Sequence, residues 1–173
     1  MTPKTPSESR TITTDLVLPS ETNHLSHLFG GALLARMDRA AYITARRHSR
    51  RIAVTASVNH VAFNTAIPLG SVVTIEASVS RAFSTSMEVF IDVYIEDRIS
   101  GDRTKANEAI YTFVAVDDTM TPVQVPQIIP ESDLEKSRYD AALRRKQLSL
   151  VLAGKLDPQD ATELKALFES KNS

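Results

Sequence analysis

Cysteine is absent from this chain, which excludes disulfide frameworks, thiolate catalysis and cysteine-ligated zinc. Charge of one sign is absent too: 20 Lys and Arg stand against 21 Asp and Glu, a formal net charge of -1. That balance gives no electrostatic reason to expect nucleic acid or an acidic membrane as partner. No apolar run approaches a membrane span, and the opening MTPKTPSESR holds no apolar segment of the secretory-signal kind. A cytoplasmic protein is expected. Its 173 residues suffice for one domain with a substantial core plus a tail.

Residues 1–9 are polar and contain two prolines, so a flexible N-terminus is expected. Arg10–Leu18 is rich in β-branched residues and reads as a strand, stopped by Pro19. From Leu28 to about His48 the apolar residues Leu33, Leu34, Met37, Ala40, Ala41, Thr44 and Ala45 recur at helical spacing. Such a helix is about 30 Å long, enough to cross a small domain. Four extended segments follow: Ile52–Phe63, Ser71–Phe83, Ser86–Arg98 and Thr104–Asp117. Met87, Val89, Ile91, Val93 and Ile95 alternate with Glu88, Asp92 and Glu96, the pattern of an antiparallel strand with one covered and one wetter face. Short connections favour pairing of successive strands. The expected fold is α+β, an antiparallel sheet curled around one long helix. After Pro130 a charged helix is expected over Glu131–Leu148, and Asp157-Pro158 looks like the cap and first turn of a last helix through Phe168.

The densest chemistry lies between Asn23 and Asp38, NHLSHLFGGALLARMD. Asp38 falls on the apolar side of the helix, and its neighbours three and four residues away are Leu34, Ala35, Ala41 and Tyr42, none of them basic. Arg36 and Arg39 are expected on the opposite face, with Arg46 and Arg47. A carboxylate against apolar surface without a counter-charge is costly, and such groups concentrate at functional sites. The bland alternative is a carboxylate bonded to the sheet. Gly30-Gly31 opens the helix, where the first amides lack intrahelical acceptors and the dipole favours an oxyanion. The diglycine serves either as such a hole or as a close-packing device. Asn23 either orients a water or carbonyl oxygen, or simply makes a turn.

Gly30 and Asp38 are about 12 Å apart along one helix, so a single reacting carbonyl cannot touch both. If both act, they come from two copies whose helices run antiparallel across a two-fold axis, which predicts a homodimer with shared active sites. His24 and His27 have a spacing that invites a metal, but no cysteine or third ligand accompanies them, and no metal is expected. Ser84-Thr85-Ser86 is either a hairpin turn or a phosphate cradle. The basic set Arg138, Arg144, Arg145 and Lys146 is either a solvated helix face or a reach toward a phosphorylated ligand.

These residues resemble those of the hotdog-fold acyl-CoA thioesterases, in the cytosolic long-chain and broad-range acyl-CoA hydrolase branch. Thr22–Asp38 is similar to that family's T-N-x-x-G-x-x-F-G-G-x-L-L-x-x-M-D motif. Val54-Thr55-Ala56-Ser57-Val58, Thr85-Ser86-Met87-Glu88-Val89, Thr112–Asp117 and Pro122–Pro126 match further along, so the resemblance covers roughly residues 10–147. It implies a hotdog domain over 10–130, while the two helices read from the residues after Pro130 make 131–173 a C-terminal helical extension outside most of the resemblance. It implies hydrolysis of acyl-CoA to fatty acid and CoA, with no cofactor beyond the CoA of the substrate. Asp38 would act as general base or nucleophile, Asn23 would position water or substrate, and Gly30 and Gly31 would polarise the carbonyl. It also implies a trimer of dimers.

Ser26 replaces the family's glycine, Ser71 its aspartate after Gly70, and Phe83-Ser84 its Gly-Arg or Gly-Asn. CoA contacts at Ser84, Thr85 and Ser86 would then lean on Arg81 or on Arg144 and Arg145. Two other readings remain at this point: a non-catalytic acyl-CoA sensor on the same fold, and an acyl-thioester dehydratase, which would need a histidine paired with a carboxylate.

Overall fold

A computed structural model of the chain describes residues 1–169; the last four positions of the expected extension lie outside the described residues. The elements are β1 (Thr11–Leu16), α1 (Gly30–Ser49), β2 (Ile52–Phe63), β3 (Val72–Ala82), β4 (Ser86–Glu96), β5 (Arg103–Val116), α2 (Asp133–Leu152) and α3 (Thr162–Glu169). The five strands form one antiparallel sheet in the order β1-β3-β4-β5-β2. Met1–Ile129 make one compact unit, and a second begins at Pro130.

Helix α1 lies against all five strands. Leu33, Met37, Ala40, Ala41 and Ala45 are buried along it, as their helical spacing requires. Burial of a side chain the size of Met37 contributes roughly 1.5–3 kcal/mol, and the alanines let the sheet approach closely. Thr44 is buried as well, its hydroxyl donating to the Ala40 carbonyl at 3.0 Å. The helix stops at Arg50, whose left-handed φ of 55° turns its amide back onto the Arg46 carbonyl.

Four expectations are corrected. β2 does not pair with β3. Turns at Phe83–Thr85 and Asp97–Asp102 close the β3–β4 and β4–β5 hairpins, β1 takes the other side of β3, and the free ladder left to β2 is the outer side of β5. Of the charged residues of β4, Glu96 is exposed as expected, but Glu88 and Asp92 are not on a wet face: Glu88 is 3% exposed and Asp92 6%. β4 is central, and its neighbours supply partners, Ser80 donating to Glu88 at 2.6 Å and Lys105 pairing with Asp92 at 2.7 Å. Asp157 does not cap α3; it closes a separate turn by accepting from the Gln159 amide, and the helix begins at Thr162.

The fourth correction concerns the N-terminus, which is held rather than flexible. The Lys4 amide donates to Gln127 and its carbonyl accepts from Ile129, both at 2.9 Å. Its ammonium caps α1 at the His48 carbonyl, 2.6 Å away, where the helix dipole favours a cation. Pro6–Glu8 forms a 3-10 turn, and Ser9 is fully buried.

His48 is buried beneath this segment, its Nε2–H donating to the Pro126 carbonyl at 2.7 Å while Nδ1 meets no partner among the described residues. Burial lowers its pKa, the Pro126 carbonyl opposes that, and the charge of Lys4 adds to the lowering. The unfolded chain therefore takes up this proton at a higher pH than the folded protein. The stability contributed by the neutral ring is complete above the unfolded pKa, about 6.5, and is lost as pH falls toward the folded value. Urea unfolding at pH 8 and pH 5 should show this loss, and His48→Gln should reduce it. An equal pH dependence in that variant would remove His48 as its source.

Candidate active site

The segment between β1 and α1 is pinned from both ends. Glu21 sits in a 3-10 turn, Pro19–Glu21, and its carbonyl accepts from the Phe29 amide at 2.8 Å. Arg36 holds the same residue from α1, Nη2 to Glu21 Oε2 at 2.5 Å and Nε to Oε1 at 3.3 Å, and also donates to the Leu16 carbonyl at 2.8 Å. Arg36 is 6% exposed, although expected on the same face as Arg39, Arg46 and Arg47, which are exposed. A short acidic turn packs across that side of α1 and turns a polar position inward.

Within the segment, Asn23 Oδ1 accepts from the amides of Leu25 and His27 at 2.9 and 3.1 Å. Both donors are N–H groups, so the side-chain oxygen is identified, and Nδ2 remains a donor with no partner among the described residues. Ser26 makes the turn with φ 57°, a conformation that favours glycine. That backbone demand accounts for the glycine of the family motif at this position.

Asn23, His27, Gly30, Phe63 and Asn107 line a cavity of about 370 Å³ at the start of α1. A Cβ added at Gly30 would sit 3.6 Å from the Phe63 ring, an ordinary contact, so packing within this chain does not require glycine there. At Gly31 the same atom would meet the Phe29 ring at 3.3 Å. The Phe29 carbonyl accepts from Ala32 and Leu33, which leaves the Gly30 and Gly31 amides at positions without intrahelical acceptors.

Asp38 lies two turns further along α1. Its Oδ1 accepts from the Thr55 hydroxyl of β2 at 2.9 Å, and it makes no ion pair among the described residues. Below it Tyr111 is 1% exposed and donates to the Leu34 carbonyl at 3.2 Å. Burial, then the charge of Asp38, push the Tyr111 hydroxyl up to about 12, so it stays protonated. Thr55 and Tyr111 had no role in the sequence reading. Thr55 stood only within a matched pentapeptide, and nothing in the residue pattern marks Tyr111.

The structure thus places the donor half (Asn23, Gly30, Gly31) and the acid half (Asp38, Thr55) at separate places along one helix. Thr85 and Ser86 stand across the sheet from the acid half: Ser86 is in register with Val114, and Val114 with Val54, next to Thr55. Two strand spacings make that about 10 Å. Arg81 neighbours this turn, stacked 5.8 Å from the Phe83 ring. Carbonyls of Ser84 and Thr85 are occupied by the Val125 and Ala115 amides. Arg144 and Arg145 are on α2, in the second unit, where Arg145 donates to the Arg138 carbonyl at 3.5 Å. A larger groove of about 630 Å³ lies at the other end of α1 among Arg46, Arg50, Arg51 and Asp117, and contains neither half of the acyl chemistry.

β2 is an edge strand, and Ala53 is its one buried residue, with Ile52, Val58 and Phe63 exposed. No helix among the described residues is long and apolar enough to cross a membrane.

Comparison with known proteins identifies the family. The family model of the thioesterase superfamily matches residues 25–101. An uncharacterised acyl-CoA thioester hydrolase of Bacillus subtilis, YkhA, is 39% identical over 138 residues, 80% of each chain. A crystal structure of an apo-hexameric acyl-CoA thioesterase superposes with a TM-score of 0.85 at 38% identity, covering 88% of this chain and 98% of that one. An acyl-CoA hydrolase from Staphylococcus aureus, solved with butyryl-CoA, CoA and CoA disulfide, has a TM-score of 0.83 at 35% identity, covering 98% and 99%. With its sheet wrapped on one helix in the hotdog manner and its sequence kinship over four-fifths of the chain, this protein belongs to the acyl-CoA thioester hydrolases of the thioesterase superfamily.

Proposed function

We propose that the protein hydrolyses acyl-CoA thioesters at sites shared between two copies of the chain, each site joining Asp38 of one copy to the diglycine and Asn23 of the other. The observation that carries this is the separation of the two halves along α1, about 12 Å from Gly30 to Asp38. The exposed edge of β2 supports it, because a long apolar edge invites pairing with another strand. Dimers of this kind assembled in threes would match the hexameric relative.

In this reading the thioester carbonyl oxygen lies at the Gly30 and Gly31 amides, where the α1 dipole stabilises the charge that develops. Asn23 Nδ2 donates to the attacking water or the carbonyl. Asp38, oriented by Thr55, either takes a proton from that water as it adds to the carbonyl carbon, or adds itself and is freed by water in a second step. The C–S bond breaks, CoA leaves as the thiol, and the acid remains. Water is the acceptor, and no cofactor takes part. The Arg81 and Ser84–Ser86 region is proposed for CoA, and Arg144 and Arg145 of the second unit are proposed separately as basic contacts for it. A cytoplasmic location goes with this intracellular substrate.

Thiol release from a series of acyl-CoA chain lengths tests the activity. Sharing is tested by mixing two impaired variants, Asp38→Asn and Asn23→Ala. Random reassociation gives half mixed dimers with one intact site of two, so about a quarter of wild-type activity should return. No recovery, with mixed dimers demonstrated by differential tags, would show that each chain carries a complete site.

A further inference from the structure

The donor half contains a polar side chain that the hydrolytic mechanism does not use. Asn107 lies on β5, paired in register with Phe63 on one side and Val93 on the other, and is 1% exposed. Its Nδ2 donates to the Thr65 carbonyl at 3.4 Å, which identifies the other terminus as the oxygen, and Oδ1 has no hydrogen-bond partner among the described residues. Ala106 and Ala109 beside it are buried and apolar, so the polar atom is out of keeping with its surroundings. Asn107 lines the same cavity as Gly30 and Asn23. A buried acceptor without a donor destabilises the protein, whereas an aliphatic residue of the same size would carry no such penalty.

We infer that Asn107 makes this a hydroxyacyl-CoA hydrolase by preference, its Oδ1 accepting a hydrogen bond from a hydroxyl on the acyl group close to the thioester. The inference rests on the acyl-CoA reading above and adds the substrate class. The donor is a neutral hydroxyl, because no acidic residue lines the cavity to pair an ammonium. It lies near the thioester, because the amides that would hold the carbonyl open onto the same space as Asn107. Discrimination comes from the hydroxyl's gain: it supplies the donor that the buried Oδ1 lacks, whereas an alkyl chain in the cavity leaves that oxygen unpaired. Sites that hydrogen-bond a substrate hydroxyl reject analogues lacking it more strongly than apolar pockets reject a missing methylene.

The test compares kcat/KM for butyryl-, 2-hydroxybutyryl- and 3-hydroxybutyryl-CoA in the wild type and in Asn107→Leu. In the wild type at least one hydroxy isomer should exceed butyryl-CoA by about tenfold. In Asn107→Leu the ratio should fall to about one, mainly because the hydroxyacyl substrates lose the hydrogen bond to Oδ1. Asn107→Thr, smaller and with a hydroxyl, serves if the leucine variant does not fold, and should retain part of the preference. Wild-type turnover of butyryl-CoA with no hydroxyacyl preference, or a preference that survives in Asn107→Leu, overturns the inference and leaves the thioesterase reading intact. No turnover of any acyl-CoA sinks both.

Discussion

Asp38→Asn should lower kcat/KM for acyl-CoA hydrolysis by about 10²–10⁴-fold, the range for loss of a general base. Asparagine keeps the shape and an oxygen that can accept from Thr55, now 2.9 Å away, so the helix and its packing should be unchanged. If Asp38 acts only in the transition state, kcat and kcat/KM fall together while KM for acyl-CoA changes little. A second readout is independent of turnover. The Tyr111 hydroxyl stands at about 12 through burial first and the Asp38 charge second, so removing the charge should bring it down while burial keeps it above its ordinary value. Ultraviolet titration of the tyrosines checks this. Unimpaired hydrolysis by Asp38→Asn would end the mechanism, whatever Tyr111 does.

Glu21→Ala should cost about 3 kcal/mol of stability, the low end for breaking a buried ion pair. Arg36 has its side chain 5% exposed, and Glu21, at 28%, is its close carboxylate. The next, Asp15, is 3.8 Å away and 69% exposed, so solvent screens it. Arg36 Nη1 already has no partner among the described residues. Without Glu21 the guanidinium stays buried with the Leu16 carbonyl as its main contact, which desolvation makes expensive. Removing both charges relieves that penalty, so Glu21→Ala with Arg36→Met should be less destabilised than Glu21→Ala alone. Urea unfolding at a fixed protein concentration measures both, since an oligomer's stability depends on concentration. Equal stability of wild type and Glu21→Ala would show that water reaches the guanidinium in the folded state.

The apolar face of α1 and the alternation in the strands were legible because both follow from side-chain periods of 3.6 and 2 within one element. Leu33, Met37, Ala40, Ala41 and Ala45 are buried as that spacing demands. The same reasoning grouped Arg36 with Arg39, Arg46 and Arg47 on the face away from Asp38 and could not foresee its burial, because a charged residue is priced by its own element alone until a partner such as Glu21, fifteen residues earlier, is known. Glu88 and Asp92 were placed on a wet face for the same reason, and Ser80 and Lys105 supply what the strand's own residues could not announce. Lys4 likewise looked free until its ladder with Gln127 and Ile129 was visible.

What the chain's residues determine unaided is local or metric: a long helix, extended segments of period two, and a carboxylate eight residues from a diglycine, too far for one carbonyl to bridge. Tertiary structure decided the rest. It put β2 at an open edge beside Asp38, gave that carboxylate the Thr55 hydroxyl, oriented the Asn23 amide and left the buried Asn107 oxygen without a partner among the described residues. Each depends on groups far apart in the chain, whose meeting is set by packing of the whole sheet on one helix, and residue spacing carries no record of such meetings.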